Sequence, residues 1–131
     1  MLKNEHKLDG EANSLDTVKD KVHLEVIEGT LKKTKATFIL KNASDVNITY
    51  GNEYKIEKKS ADNWQELEGK LDFDLPAYNL KYMDSVVLKF DWKNGYGSLD
   101  KGLYRLVKNV SVEKADGSKK EFNIYGEFKI D

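Results

Sequence analysis

The sequence predicts an all-β domain built as a two-sheet sandwich. Apolar residues alternate in run after run, clearest at Val86, Leu88, Phe90 and Trp92 and again at Tyr104 and Leu106. Turn residues punctuate the chain at short intervals, and no convincing helical stretch interrupts them. Much of the apolar content is Val, Ile, Tyr, Phe and Trp, side chains that fit a pleated, half-buried surface. A closed barrel stands as the rival architecture, because the same alternation would serve it.

The chain opens on residues 1–20, a polar stretch in which Leu8, Leu15 and Val18 are too sparse to line a face. This predicts a flexible leader or tether with at most a final ordered turn, ahead of a folded domain over residues 21–131. The first strand is expected over 22–27, with Val22, Leu24 and Val26 on one face and His23 and Glu25 on the other. After a turn at Glu28-Gly29-Thr30, Ala36, Phe38 and Leu40 mark a second strand, and Val46, Ile48 and Tyr50 a third. Strand character resumes at Tyr54 to Lys58, and Lys58 to Asn63 reads as a solvated hairpin loop. Trp64 and Leu67 start the returning edge, where an indole with a single N–H suits a half-covered flank. Residues 69–82 alternate Leu71, Phe73 and Leu75 but then meet Pro76, which cannot donate to a ladder, so they read as short edge segments.

The long strand over 85–92 leads into a turn-rich link containing Asn94-Gly95, Gly97 and Lys101-Gly102. Two final strands, 103–113 and 119–130, flank an Asp116-Gly117 turn signal. In the last of them Phe122, Ile124, Phe128 and Ile130 keep even spacing, with Gly126 marking a bulge or the close approach of a neighbour. The expected core is Val22, Leu24, Phe38, Leu40, Ile56, Leu88, Phe90, Trp92, Tyr104, Leu106, Phe122, Ile124, Phe128 and Ile130.

Composition removes several function classes. The 22 basic and 23 acidic residues are mixed along the whole length, so no linear pattern suggests the positive stripe that displaces counterions from nucleic acid. Without cysteine, the chain can form no disulfide, thiol nucleophile, cysteine zinc site or iron–sulfur cluster. No apolar run is long enough to span a membrane, so direct insertion is not expected. The first residues also lack the apolar centre of a signal peptide, which leaves a cytosolic protein and a fragment whose targeting segment lies elsewhere both open.

Chemistry-bearing residues are scattered. His6 and His23 lie far apart with no carboxylates spaced to complete a metal site. Asp72 and Asp74 are the weak calcium candidates, but they do not continue into a twelve-position calcium loop. Gly95-x-Gly97 lacks the following helix and lysine–hydroxyl pair of a phosphate loop. Three Asn-x-Ser/Thr triplets begin at Asn42, Asn47 and Asn109, and chance accounts for them best. No nucleophile, base and orienting partner can be assembled, so neither an enzyme nor a cofactor is expected. Among the aromatics, Tyr96 inside its glycine-rich link and Trp64 are the candidates for contact with a ligand or protein partner.

Three stretches carry a family resemblance: Thr37-Phe38-Ile39-Leu40-Lys41-Asn42, Tyr50-Gly51-x-x-Tyr54-x-Ile56-Glu57-Lys58, and Trp92-x-x-x-Tyr96-Gly97-x-Leu99-x-x-Gly102-x-Tyr104-Arg105-Leu106-Val107-Lys108 with the closing Phe128-x-Ile130. Over residues 21–130 the chain resembles bacterial immunoglobulin-like domains of secreted or membrane-associated proteins, mainly Gram-positive. The resemblance implies an immunoglobulin-like sandwich with Greek-key-like connections, in which Leu99, Gly102 and Tyr104 form a tyrosine corner beside Trp92. It implies an extracytoplasmic, non-catalytic structural or protein-recognition module attached to lipoproteins, surface proteins or membrane proteases. The expected partners are a cell-surface protein or other domains of a longer parent, with self-association through an edge strand also open. Binding of carbohydrate or a small ligand by loop aromatics is the alternative.

Overall fold

The computed structural model describes residues 15–131. Two short helices, α1 (Leu15–Lys19) and α2 (Lys93–Tyr96), accompany nine strands. These are β1 (Val22–Val26), β2 (Lys35–Asn42), β3 (Ile48–Tyr50), β4 (Lys55–Ser60), β5 (Asn63–Glu66), β6 (Tyr78–Leu80), β7 (Asp84–Asp91), β8 (Gly102–Glu113) and β9 (Lys119–Ile130). The strands form two separate sheets, so the barrel alternative falls. One sheet has the order β1-β2-β7. In the other, β8 pairs with β9 along twelve residues on one side. Its opposite side pairs with β4 at Tyr104 to Val107 and with β3 at Val110 and Ser111. Strands β5 and β6 extend this sheet beyond β4 and β3. The chain crosses between sheets from β2 to β3, from β6 to β7 and from β7 to β8, the arrangement expected of an immunoglobulin-like sandwich.

The two sheets are joined by a ring stack. Phe128 of β9 stacks on Trp92 at a 5.6 Å centroid separation and on Tyr104 at 5.5 Å. Trp92 is 0% exposed and Tyr104 2%, so both rings are interior. The indole Nε1–H donates to the Lys33 carbonyl at 2.9 Å, and the Tyr104 hydroxyl donates to the Asp100 carbonyl at 2.6 Å. The second bond ties the link after α2 to the start of β8, and Leu99 is buried within the same turn.

Gly126 answers the question its position raised. It pairs with Leu106 in an unbroken register, so there is no bulge. A Cβ at 126 would lie 2.7 Å from the Phe38 ring and 3.0 Å from the Leu24 carbonyl, so the glycine lets β1 and Phe38 approach the back of β9.

Leu15–Lys19, at the end of the polar stretch, forms a helical turn, and Val18 is buried in the core. Several local expectations differ from the structure. His6 and the rest of residues 1–14 lie outside the described residues. The solvated loop over 58–63 shrinks to Ala61-Asp62, because β4 and β5 stay paired up to Ser60 and Asn63. Ala61 takes φ 56°, the backbone a two-residue hairpin link demands. The link after Trp92 contains the helical turn α2. Leu71 and Phe73 are half-buried but form no strand, and Leu75 is 97% exposed. Leu88 is only half-buried, because β7 is the edge of its sheet and the space beside it is open.

Candidate functional site

A deep concavity lies along that open edge. It is a groove of about 570 Å3 between β7 and the Tyr50–Tyr54 turn of the opposite sheet. Val86, Leu88 and Phe90 form one wall, since alternate residues of β7 point between the sheets. Tyr50, Tyr54 and Tyr78 form the other, with Leu71 and Phe73 crossing above. Its aromatic rings brace one another. Tyr54 meets Phe90 at 4.7 Å and Phe73 at 5.3 Å, and Tyr78 lies over Tyr50 at 5.4 Å. The Tyr54 hydroxyl donates to the Asp91 carbonyl at 3.3 Å, which closes that end of the groove. Burial raises the hydroxyl pKa of Tyr54, with Tyr96 and Asp91 adding to it.

A cation lies in the groove floor. Lys108 occupies the inward row of β8 defined by Tyr104, Leu106, Val110 and Val112, and is 1% exposed. Its Nζ donates to the carbonyls of Gly51 and Glu53. The ammonium also lies 5.5 Å from the Tyr50 ring centroid and 6.0 Å from that of Phe90. Among the described residues no carboxylate forms an ion pair with it. Burial pushes its pKa down to about 8, with the charge of Glu53 partly opposing. Sequence reading had not singled out this residue. The signal was present, because a lysine on the even positions of 104–112 interrupts an otherwise apolar row.

The sequence-selected residues do not converge on this groove. Tyr96 is half-buried instead of presenting a free ring: it closes the C-terminal end of α2, and its ring fits against Gly69. Burial raises its pKa, opposed by the Ile56 backbone. Trp64 stands on the outer face of the larger sheet. There the Arg105 guanidinium lies 4.5 Å from the Trp64 ring and 4.1 Å from the Tyr125 ring, and Arg105 Nε donates to Glu57 at 2.6 Å. Asp72 lines the groove rim and is exposed; Asp74 is exposed beside it, its carbonyl accepting from Asn52 at 3.4 Å. Among the described residues no three His, Asp or Glu side chains gather as a metal site. His23 is exposed on β1.

The Asn-x-Ser/Thr triplets serve the fold. Asn42 is buried, and its amide donates to the carbonyls of Val46, Leu80 and Lys81. Asn47 accepts the Tyr82 N–H, and Asn109 donates to Asn123.

No helix among the described residues is long and apolar enough to cross a membrane. A family model described as a bacterial Ig-like domain matches residues 17–129. No curated protein and no solved structure matches the chain.

Proposed function

The chain belongs to the bacterial Ig-like domain family, and from that membership we propose that it is a non-catalytic, extracytoplasmic module that recognises a protein partner through the groove beside β7. Domains of this kind usually occur in extracellular proteins and are typically structural modules, which supports both halves of the reading. The observation that carries it is the groove itself, a concave surface walled by aliphatic and aromatic side chains with a few convergent polar atoms. Its partner is a cell-surface protein or a neighbouring domain of a longer parent. The tilted Tyr50–Tyr78 pair favours saccharide stacking as a second reading, because Tyr78 is exposed on its outer side.

Passing envelope proteins and cell-wall polysaccharide from the source bacterium over immobilised wild type, Leu88→Asp, Trp64→Ala and Tyr78→Ala separates these readings. Protein retention that Leu88→Asp abolishes and Trp64→Ala leaves intact is the expected result. Retention of polysaccharide alone, lost with Tyr78→Ala, would replace protein recognition by glycan binding.

A further inference from the structure

The groove is bounded by an open strand edge and floored by a charge that no carboxylate among the described residues pairs with. We propose that it receives an extended peptide that pairs with β7 as an added strand and seats a carboxylate side chain against Lys108, with apolar side chains two residues to either side. The inference rests on the recognition reading above and names the chemistry of the partner.

Backbone parity defines the edge. The Trp92 N–H donates to the Thr34 carbonyl, so even-numbered residues of this strand address β2. The Asp91 carbonyl instead accepts from Tyr54, so odd-numbered residues address the groove side. At the two ends this edge is occupied: Tyr54 holds the Asp91 carbonyl, and the Asp84 side chain holds the Ser85 N–H at 2.8 Å. Val87 and Lys89 lie between. Among the described residues β7 pairs only with β2, so no described strand takes up the N–H and C=O groups of these two residues, which can serve a further strand. Val87 is itself 55% exposed. No backbone hydrogen bond joins residues 70–77 to β7 among the described residues, so that crossing segment does not occupy the edge.

Side-chain spacing then selects the sequence. Residues on one face of an added strand recur about every 6.6–6.8 Å. One facing Lys108 is flanked on both sides by others that meet the aliphatic and aromatic walls. Lys108 donates two hydrogen bonds to backbone carbonyls, leaving one of its three N–H groups for an incoming acceptor. A buried cation held by neutral carbonyls and ring faces gains most from an anion, and a carboxylate is the peptide group that supplies one.

Two other occupants fit poorly. The β7 strand of a second copy would bring Val86, Leu88 and Phe90 already turned into its own groove, and Asp84, the one carboxylate of that row, is already held by the Ser85 N–H. Within residues 1–14, Glu5, Asp9 and Glu11 have no apolar residue two positions away on either side.

The test pans a display library of random linear nonapeptides on the whole chain, then compares synthetic hits by calorimetry. Enriched peptides should share a Glu or Asp with apolar residues at both ±2 positions. Exchanging that Glu for Gln should weaken binding at least about tenfold to wild type and have little effect with Lys108→Met. N-methylation on one alternate set of peptide nitrogens should abolish binding, and on the other set leave it intact. No enrichment, hits without an acidic residue, a Glu/Gln difference that survives Lys108→Met, or equal tolerance of both N-methylated sets would each overturn the proposal. If retention of an envelope protein still depends on Leu88, only this peptide chemistry falls. If that dependence is absent too, the recognition reading falls with it.

Discussion

Replacing Lys108 by Met tests whether the folded domain holds a desolvated ammonium. Burial lowers the lysine pKa from an ordinary 10.5 to about 8. Between those two values the unfolded chain retains a proton that the folded domain has released. Stability therefore increases as pH rises through this window. The cost of burying the charge is fully present below the folded pKa and disappears above the unfolded one. A shift from 10.5 to about 8 integrates to a gain of about 2.5 kcal/mol between about pH 7 and pH 10. The buried hydroxyls of Tyr50, Tyr54 and Tyr96 act in the opposite sense, since their raised pKa values reduce stability as the unfolded tyrosines ionise near pH 10. That decline is common to both proteins and cancels in their difference. Urea unfolding of wild type and Lys108→Met at several pH values should show wild type gaining on the variant by about 2.5 kcal/mol between about pH 7 and pH 10, whatever the constant offset from the lost hydrogen bonds. Parallel curves would mean that the ammonium is solvated in the folded protein and would refute the buried-cation argument.

Two further substitutions test the frame around the groove. Tyr104→Phe removes the hydroxyl bond to Asp100 while keeping the ring stacked on Phe128, and should lower unfolding free energy by about 1 kcal/mol. An unchanged midpoint in chemical denaturation would show that this bond contributes nothing. Gly126→Ala places a methyl group 2.7 Å from the Phe38 ring and 3.0 Å from the Leu24 carbonyl, and should cost about 1–3 kcal/mol. A neutral result by thermal melting would show that β1 and Phe38 move aside freely.

The fold was legible wherever alternation was long and uninterrupted. Phe122, Ile124, Phe128 and Ile130 proclaimed a strand with one buried face, and Trp92 and Tyr104 proved to be the interior rings on either side of Phe128. Leu71, Phe73 and Leu75 show where that signal misleads. Three alternating apolar residues suggested strand character, but they form no ladder, and Leu75 faces solvent. Tyr96 was misjudged because glycines on either side suggested an exposed link, whereas Gly69 leaves room for its ring to lie against the domain. Lys108 was overlooked because its row reads as an ordinary strand interrupted once. Only the crossing of the Gly51 and Glu53 carbonyls above it, set by tertiary structure, shows how the charge is accommodated.

Apolar alternation alone would leave the β8–β9 hairpin more than one alignment. Both strands repeat apolar side chains every second position, so sliding one past the other by two residues would still match greasy row to greasy row. Two odd teeth on this comb make the misalignment detectable. Displaced β8 would carry its amine away from the pair of oxygens that receives it, and displaced β9 would drive a bulky side chain into the gap reserved for Gly126. The two least hydrophobic residues of the hairpin interior thus act as a key, admitting one alignment where the oily pattern alone would accept several.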